Sequence, residues 1–98
     1  MSTYARKKLL EALYVLVGSC SIQKRLCAAG GHLVCLGPDD FEPDDLETFE
    51  AIMKSLTSAT PAAEEVSLEA TTRRLTDQEG DKLADKILSL YTSIRGGI

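Results

Sequence analysis

The last third of the chain carries the tightest constraint on what it can fold into. Thr76 and Glu79 stand three residues apart, just before a run in which Leu83, Ile87, Leu90 and Ile94 recur at spacings of four, three and four. A hydroxyl and a carboxylate so placed satisfy two otherwise unpaired amides of a helix's first turn reciprocally. Apolar residues at that spacing fall on one face of a helix with 3.6 residues per turn. Ala84, Leu88 and Tyr91 widen the stripe, and Gly96-Gly97 is placed to stop the helix. A helix with one broad apolar face is marginal alone in water and must pack against others.

The same period returns along the chain. Ser2 or Thr3 is placed to cap a first helix, with Gly18 at its end in the position that favours a left-handed residue. Its apolar residues form two adjacent rows, Leu9, Leu13, Leu16 and Leu10, Tyr14, Val17. A stripe that broad belongs to a helix that is either central or partly intermolecular. A second helix begins at Ser19 or Ser21 and carries the seam Ile22, Leu26, Ala29, Leu33, Leu36. Gly30-Gly31 in its middle costs about 1 kcal/mol per glycine relative to alanine, a loss that close approach of a neighbouring helix would offset. The rival is a short buried strand over 32–36, because a brief apolar run fits both; helix is the expectation.

Gly37-Pro38 ends this element. Pro43 suits a helix's first turn, and Asp44, Asp45 and Glu47 complement the positive end of its dipole. That third helix should run to Leu56 with Leu46, Phe49, Ile52, Met53 and Leu56 on one face. Thr57 to Ala63, with Thr60-Pro61 inside it, reads as a hinge or loop. The signals from Glu64 to Leu75 are mixed, since Val66 and Leu68 alternate like a strand while Leu68, Thr71, Thr72 and Leu75 can share a helix face; a short helix is expected. The fold class is therefore all-α, a small bundle of four main helices plus a short fifth helical segment, with residues 1–98 forming one domain.

Several function classes drop out. The longest apolar run, Ala12 to Val17, is far short of the ~20 residues that cross a bilayer. Arg6 to Lys8 before Leu9 to Val17 has the outline of a signal peptide, but Glu11 and Tyr14 interrupt it and no clean cleavage site follows, so a cytoplasmic location is expected. Cys20, Cys27 and Cys35 are odd in number, in a chain rich enough in Leu, Ile and Val to need no disulfide framework. They are expected as small buried thiols. His32 and Cys35 share a helix face, yet Cys27 lies well around it and no CxxC or HxxxH completes a tetrahedral set. No metal or other cofactor is expected.

His32 is the sole histidine, and spacing pairs it with no nucleophile and acid, so enzyme activity is not expected. Asp39, Asp40, Glu42, Asp44 and Asp45 lack the spaced ligands and mid-loop glycine of a calcium loop and read as a solvated helix start.

Charge divides unevenly. Residues 1–37 carry +4, residues 38–70 carry −9 and residues 71–98 carry +1. Such a distribution neutralises internally when the helices pack, which is the expectation, or attracts a second copy of the chain head to tail. Arg6, Lys7, Lys8, Lys24 and Arg25 form the alternative function, a small DNA-associated regulator, if antiparallel packing of the first two helices gathers them, with Arg73-Arg74 extending the patch. Net acidity, 5% aromatics and a second helix with few base-reading groups beyond Gln23, Lys24 and Arg25 weigh against it. Basic residues at only one end of the first helix also fit membrane-surface binding poorly.

By elimination the chain reads as a non-enzymatic protein interaction module, its partner another protein or a second copy of itself. Leu9, Leu13, Leu16 and Val17 on the first helix and Leu83, Ile87, Leu90 and Ile94 on the last are the interface candidates, against the competing reading that they form the core.

Overall fold

Short-range signals set most of the element boundaries. The computed structural model describes residues 3–58 and 67–95. It contains five α-helices, α1 (Thr3–Leu16), α2 (Ile22–Leu33), α3 (Pro43–Leu56), α4 (Ser67–Arg74) and α5 (Asp77–Arg95), with a 3-10 turn at Pro38–Asp40. No strand occurs among the described residues. The all-α expectation holds. Ser2, most of the Thr57 to Ala63 loop, Val66 and Gly96-Gly97 lie outside the described residues.

α1 buries Ala5, Leu9, Ala12 and Leu16, a row that alternates small and large side chains. Alanines in a buried row allow a neighbouring helix to approach closely. The expected left-handed end at Gly18 is not found, for its φ lies outside that range. The side chain of Arg25 does the work instead, Nη1 donating to the Leu16 carbonyl at 2.6 Å and Nε to the Cys20 carbonyl at 2.8 Å. Two of the orphan carbonyls at this helix end and turn are thereby satisfied.

α2 opens on Ser21, whose hydroxyl accepts from the Lys24 amide at 3.2 Å. The helix passes straight through Gly30-Gly31 and ends at Leu33; Leu36 is buried from the turn that follows rather than from the helix itself. Gly30 lies close under α4, where a Cβ would stand 2.6 Å from Leu68 Cδ1 and oblige that leucine to shift. Gly31 has open space around it.

α3 starts at Pro43 and ends at Leu56 as its sequence signals dictate, burying Phe49, Ile52 and Leu56. Phe49 stacks on Phe41 with ring centroids 4.6 Å apart. The hydroxyl of Ser93 donates to Asp45 Oδ1 at 2.7 Å and ties α3 to α5.

The mixed stretch before Leu75 resolves to helix from Ser67, and its Thr72 hydroxyl donates to the Leu68 carbonyl at 2.8 Å. α5 begins with both capping-box bonds formed, Glu79 N to Thr76 Oγ1 at 3.1 Å and Thr76 N to Glu79 Oε1 at 2.9 Å. These bonds hold the Glu79 carboxyl below its usual 4.5, the backbone bond from Thr76 contributing most. Gly80 lets the start of α2 sit against α5, since a Cβ there would meet Ile22 Cγ1 at 2.9 Å. The largest fully buried side chains are Leu9, Leu26, Leu33, Ile52, Leu56, Ile87 and Leu90, one core fed by α1, α2, α3 and α5.

Candidate functional site

The two apolar rows of α1 have opposite fates. In the first, Leu9 and Leu16 are buried and Leu13 is partly buried against the core. Leu83, Ile87, Leu90 and Ile94 of α5 are likewise at most 5% exposed. Leu9, Leu16 and the four α5 residues keep almost no surface for a partner and belong to the core, their stripe being what holds the helices together, while Leu13 packs against that core and stays partly exposed. Val17 is the exception at 80% exposed.

The second row faces outward. Leu10, Tyr14 and Val17 are 39%, 71% and 80% exposed, and they lie one above another at spacings of four and three. Six large apolar side chains are exposed among the described residues, Tyr4, Leu10, Tyr14, Val17, Val34 and Leu88, and four of them belong to α1 or the residue after it. An exposed apolar residue alone means little, whereas a contiguous row is informative.

A neighbouring stripe extends the row. Leu10 shares a cleft of about 290 Å³ with Tyr91 of α5, alongside Thr3, Arg6 and Lys7. Ala84 and Tyr91 are partly buried, and Leu88 between them is 49% exposed. The start of α5 meets the start of α2, with Gly80 on Ile22, while Arg25 bonds the end of α1. α5 therefore runs antiparallel to α1, its C-terminal half beside the α1 N-terminus. The outcome is a two-helix face with Leu10, Tyr14 and Val17 on one side and Ala84, Leu88 and Tyr91 on the other.

Charges mark the ends of this face. Arg6 and Lys7 sit at the Tyr91 end, while on α5 Asp81 lies at the other end, in a hollow shared with the Arg25 that bonds the α1 C-terminus, and Asp85 stands one turn in from it. All four are exposed, and none of their side chains forms an ion pair or hydrogen bond with a described residue.

The five basic candidates do not form one patch. Antiparallel packing of α1 on α2, shown by the Arg25 to Leu16 bond at one end and His32 beside Glu11 toward the other, places the two helix starts at opposite ends. Arg6 and Lys7 are thus separated from Lys24 by on the order of 15 Å along the axis. Lys8 is engaged with Glu11 Oε1 at 3.7 Å and lies 5.7 Å from the Tyr4 ring centroid. Arg25 is committed to backbone carbonyls. Gln23, a base-reading candidate by sequence, instead donates at 2.9 Å to both the Leu75 carbonyl and Asp77 Oδ1, holding α2 to the junction before α5.

His32 Nδ1 stands 3.6 Å from Glu11 Oε2, a contact between α2 and α1. Cys20 and Cys35 are exposed and Cys27 partly so, contrary to the expected buried thiols, because all three fall off the Ile22, Leu26, Ala29, Leu33 seam. Cys35, moreover, lies beyond the end of α2 and shares no helix face with His32. Among the described residues no three His, Cys, Asp or Glu side chains gather in a metal-holding group. In the acidic segment Asp40 Oδ2 accepts from the Gly37 amide at 2.9 Å, and Asp45 is held by Ser93.

An open hollow of about 470 Å³ between α2 and α4, lined by Lys24, Cys27, Glu69 and Thr72 among others, contains no nucleophile paired with a base. No helix among the described residues is long and apolar enough to cross a membrane. Set against protein-family models, curated proteins and solved structures, the chain matches none of them.

Proposed function

We propose that this chain is a small non-enzymatic protein interaction module, an adaptor, accessory or regulatory subunit of the cytoplasm, built as one domain of four main helices with α4 as the short fifth. The observation that supports this is the outward row Leu10, Tyr14 and Val17, with Tyr14 and Val17 exposed over most of their surface. Burying such a row releases about 25 cal/mol for each Å² of apolar surface removed from water. A second helix laid along it would do so with side chains at four-and-three spacing.

The test compares the wild-type chain with a Tyr14→Gln/Val17→Ser variant as baits in extract of the host, after nuclease treatment and at two salt concentrations. Both positions are exposed, so the variant should keep the helical circular dichroism and melting temperature of the wild type. A protein retained by the wild type and lost by the folded variant is the expected result. If whatever is retained binds both baits equally, or is removed by nuclease, the row is not a protein-binding face.

A further inference from the structure

We infer that the occupant of the α1 and α5 outer face is a second copy of the same chain, related to the first by a two-fold axis across the face. This rests on the proposal that the face binds protein, and it names the partner.

A two-fold interface uses one patch twice and so must be self-complementary. This face is, in both apolarity and charge. Along its length it runs from the basic end, Arg6 and Lys7, to the acidic Asp81 at the other end. Turning one copy by 180° about an axis that lies in the interface and crosses α1 between Leu10 and Tyr14 lays Leu10 of each copy against Tyr14 of the other, the two being one helical turn apart. The same turn brings Arg6 and Lys7 of each copy toward the Asp81 carboxylate of the other. All three charges lack a partner among the described residues within the chain, so the pairing breaks no intramolecular bond. A parallel arrangement would instead set base against base.

The acidic α3 is a weaker partner for the basic end. α3 packs on α5, and α1 packs mainly on α2 and α5, so the two surfaces occupy different sides of the molecule. Joining them copy to copy would be head to tail and open-ended, giving chains of molecules rather than a closed pair. The exposed apolar surface of the two-helix face is on the order of 500 Å², comparable with the largest patches on monomers. Two copies would bury about 1,000 Å² in all, at the lower edge of specific interfaces. The dimer is therefore weak and concentration-dependent.

The purified chain is measured by sedimentation equilibrium or by size-exclusion chromatography with light scattering, over a dilution from roughly 300 μM to about 1 μM. The expected result is a mass that rises with concentration from 10.6 kDa toward twice that value and no further. Lys7→Glu and Asp81→Lys should each weaken the dimer at least tenfold. Lys7→Glu/Asp81→Lys, which reverses both sides of the pairing in every copy, should recover it to within about threefold of the wild type.

A mass of 10.6 kDa at every concentration would overturn self-association while leaving the Tyr14-dependent capture of another protein as a separate test. A dimer unaffected by Tyr14→Gln would place the interface elsewhere. Masses beyond two copies, or loss with Tyr14→Gln but no response to the charge exchanges, would overturn the two-fold pairing.

Discussion

The adjacent glycines of α2 separate helix propensity from packing at neighbouring positions. Both are helical and neither has a left-handed φ. Gly31 is exposed with nothing within 4 Å of a built Cβ, so Gly31→Ala gains only the propensity difference and should stabilise the fold by about 0.5–1 kcal/mol. At Gly30 the same methyl would lie 2.6 Å and 3.0 Å from the two Cδ atoms of Leu68. Leu68 must rotate or α4 must retreat, and overpacking of this kind costs about 1–3 kcal/mol. Set against the propensity gain, Gly30→Ala should be destabilising by about 0–2.5 kcal/mol. The assay is urea unfolding followed by circular dichroism, with stabilities compared at common slope. In a chain of this size a difference of 1 kcal/mol moves the melting temperature by about 4–8 °C. Leu68→Ala in the Gly30→Ala background should recover the part of the loss that comes from the clash, though not the burial lost with the leucine. Equal stabilisation by both single substitutions would refute the close approach of α4 to α2.

Two further perturbations test the core and the start of α5. Leu9→Asp places a carboxylate where the side chain is 0% exposed, and the lost packing together with an unpaired buried acid should cost about 4 kcal/mol or more, abolishing the cooperative melt; a folded variant would show that α1 is not seated as described. Glu79 is held below its usual 4.5 by the capping box, so its contribution is complete above that value and is lost as pH falls through the lowered one. The stability difference between wild type and Glu79→Gln, read from urea midpoints across pH 3–7, should be flat near neutrality and narrow below about pH 4.5; a difference unchanged into acid would refute the charged capping bond.

What was legible in the sequence follows the range of the interactions. The bounds of α3 and the start of α5 were readable because Pro43, Thr76 and Glu79 act within one turn of themselves. Gly30 was readable as a site of close approach, but Leu68 as the approaching residue was not, since nothing local to either encodes the other. The same holds for Gln23, whose partners lie 52 and 54 residues away, and for Gly80, which makes room for Ile22. Arg25 looked like a phosphate ligand because a free base and a backbone-capping base have the same sequence signature.

On α1 a signal was present but lay in the small residues. Two leucine-rich rows compete for the core, and counting large apolar residues does not choose between them. Ala5 and Ala12 do choose, because they share the face of Leu9 and Leu16, and an alanine facing a neighbour permits the short interaxial distance that a tyrosine prevents. The row containing Tyr14 is then left outside.

Why that outer row is apolar at all is the question the fold itself does not answer. α1 packs mainly on two neighbours, α2 and α5, and the Ala5, Leu9, Ala12, Leu16 row with Leu13 satisfies both. Replacing Tyr14 or Val17 by a polar residue removes little that folding uses, so stability gives no physical reason for their character. α3, packed in the same core, keeps its exposed face acidic with Asp44, Glu47 and Glu50. The contrast between two 14-residue helices of one chain, one acidic on its solvent side and the other carrying the outward row Leu10 and Tyr14 that Val17 continues, is what an intermolecular contact on α1 would explain.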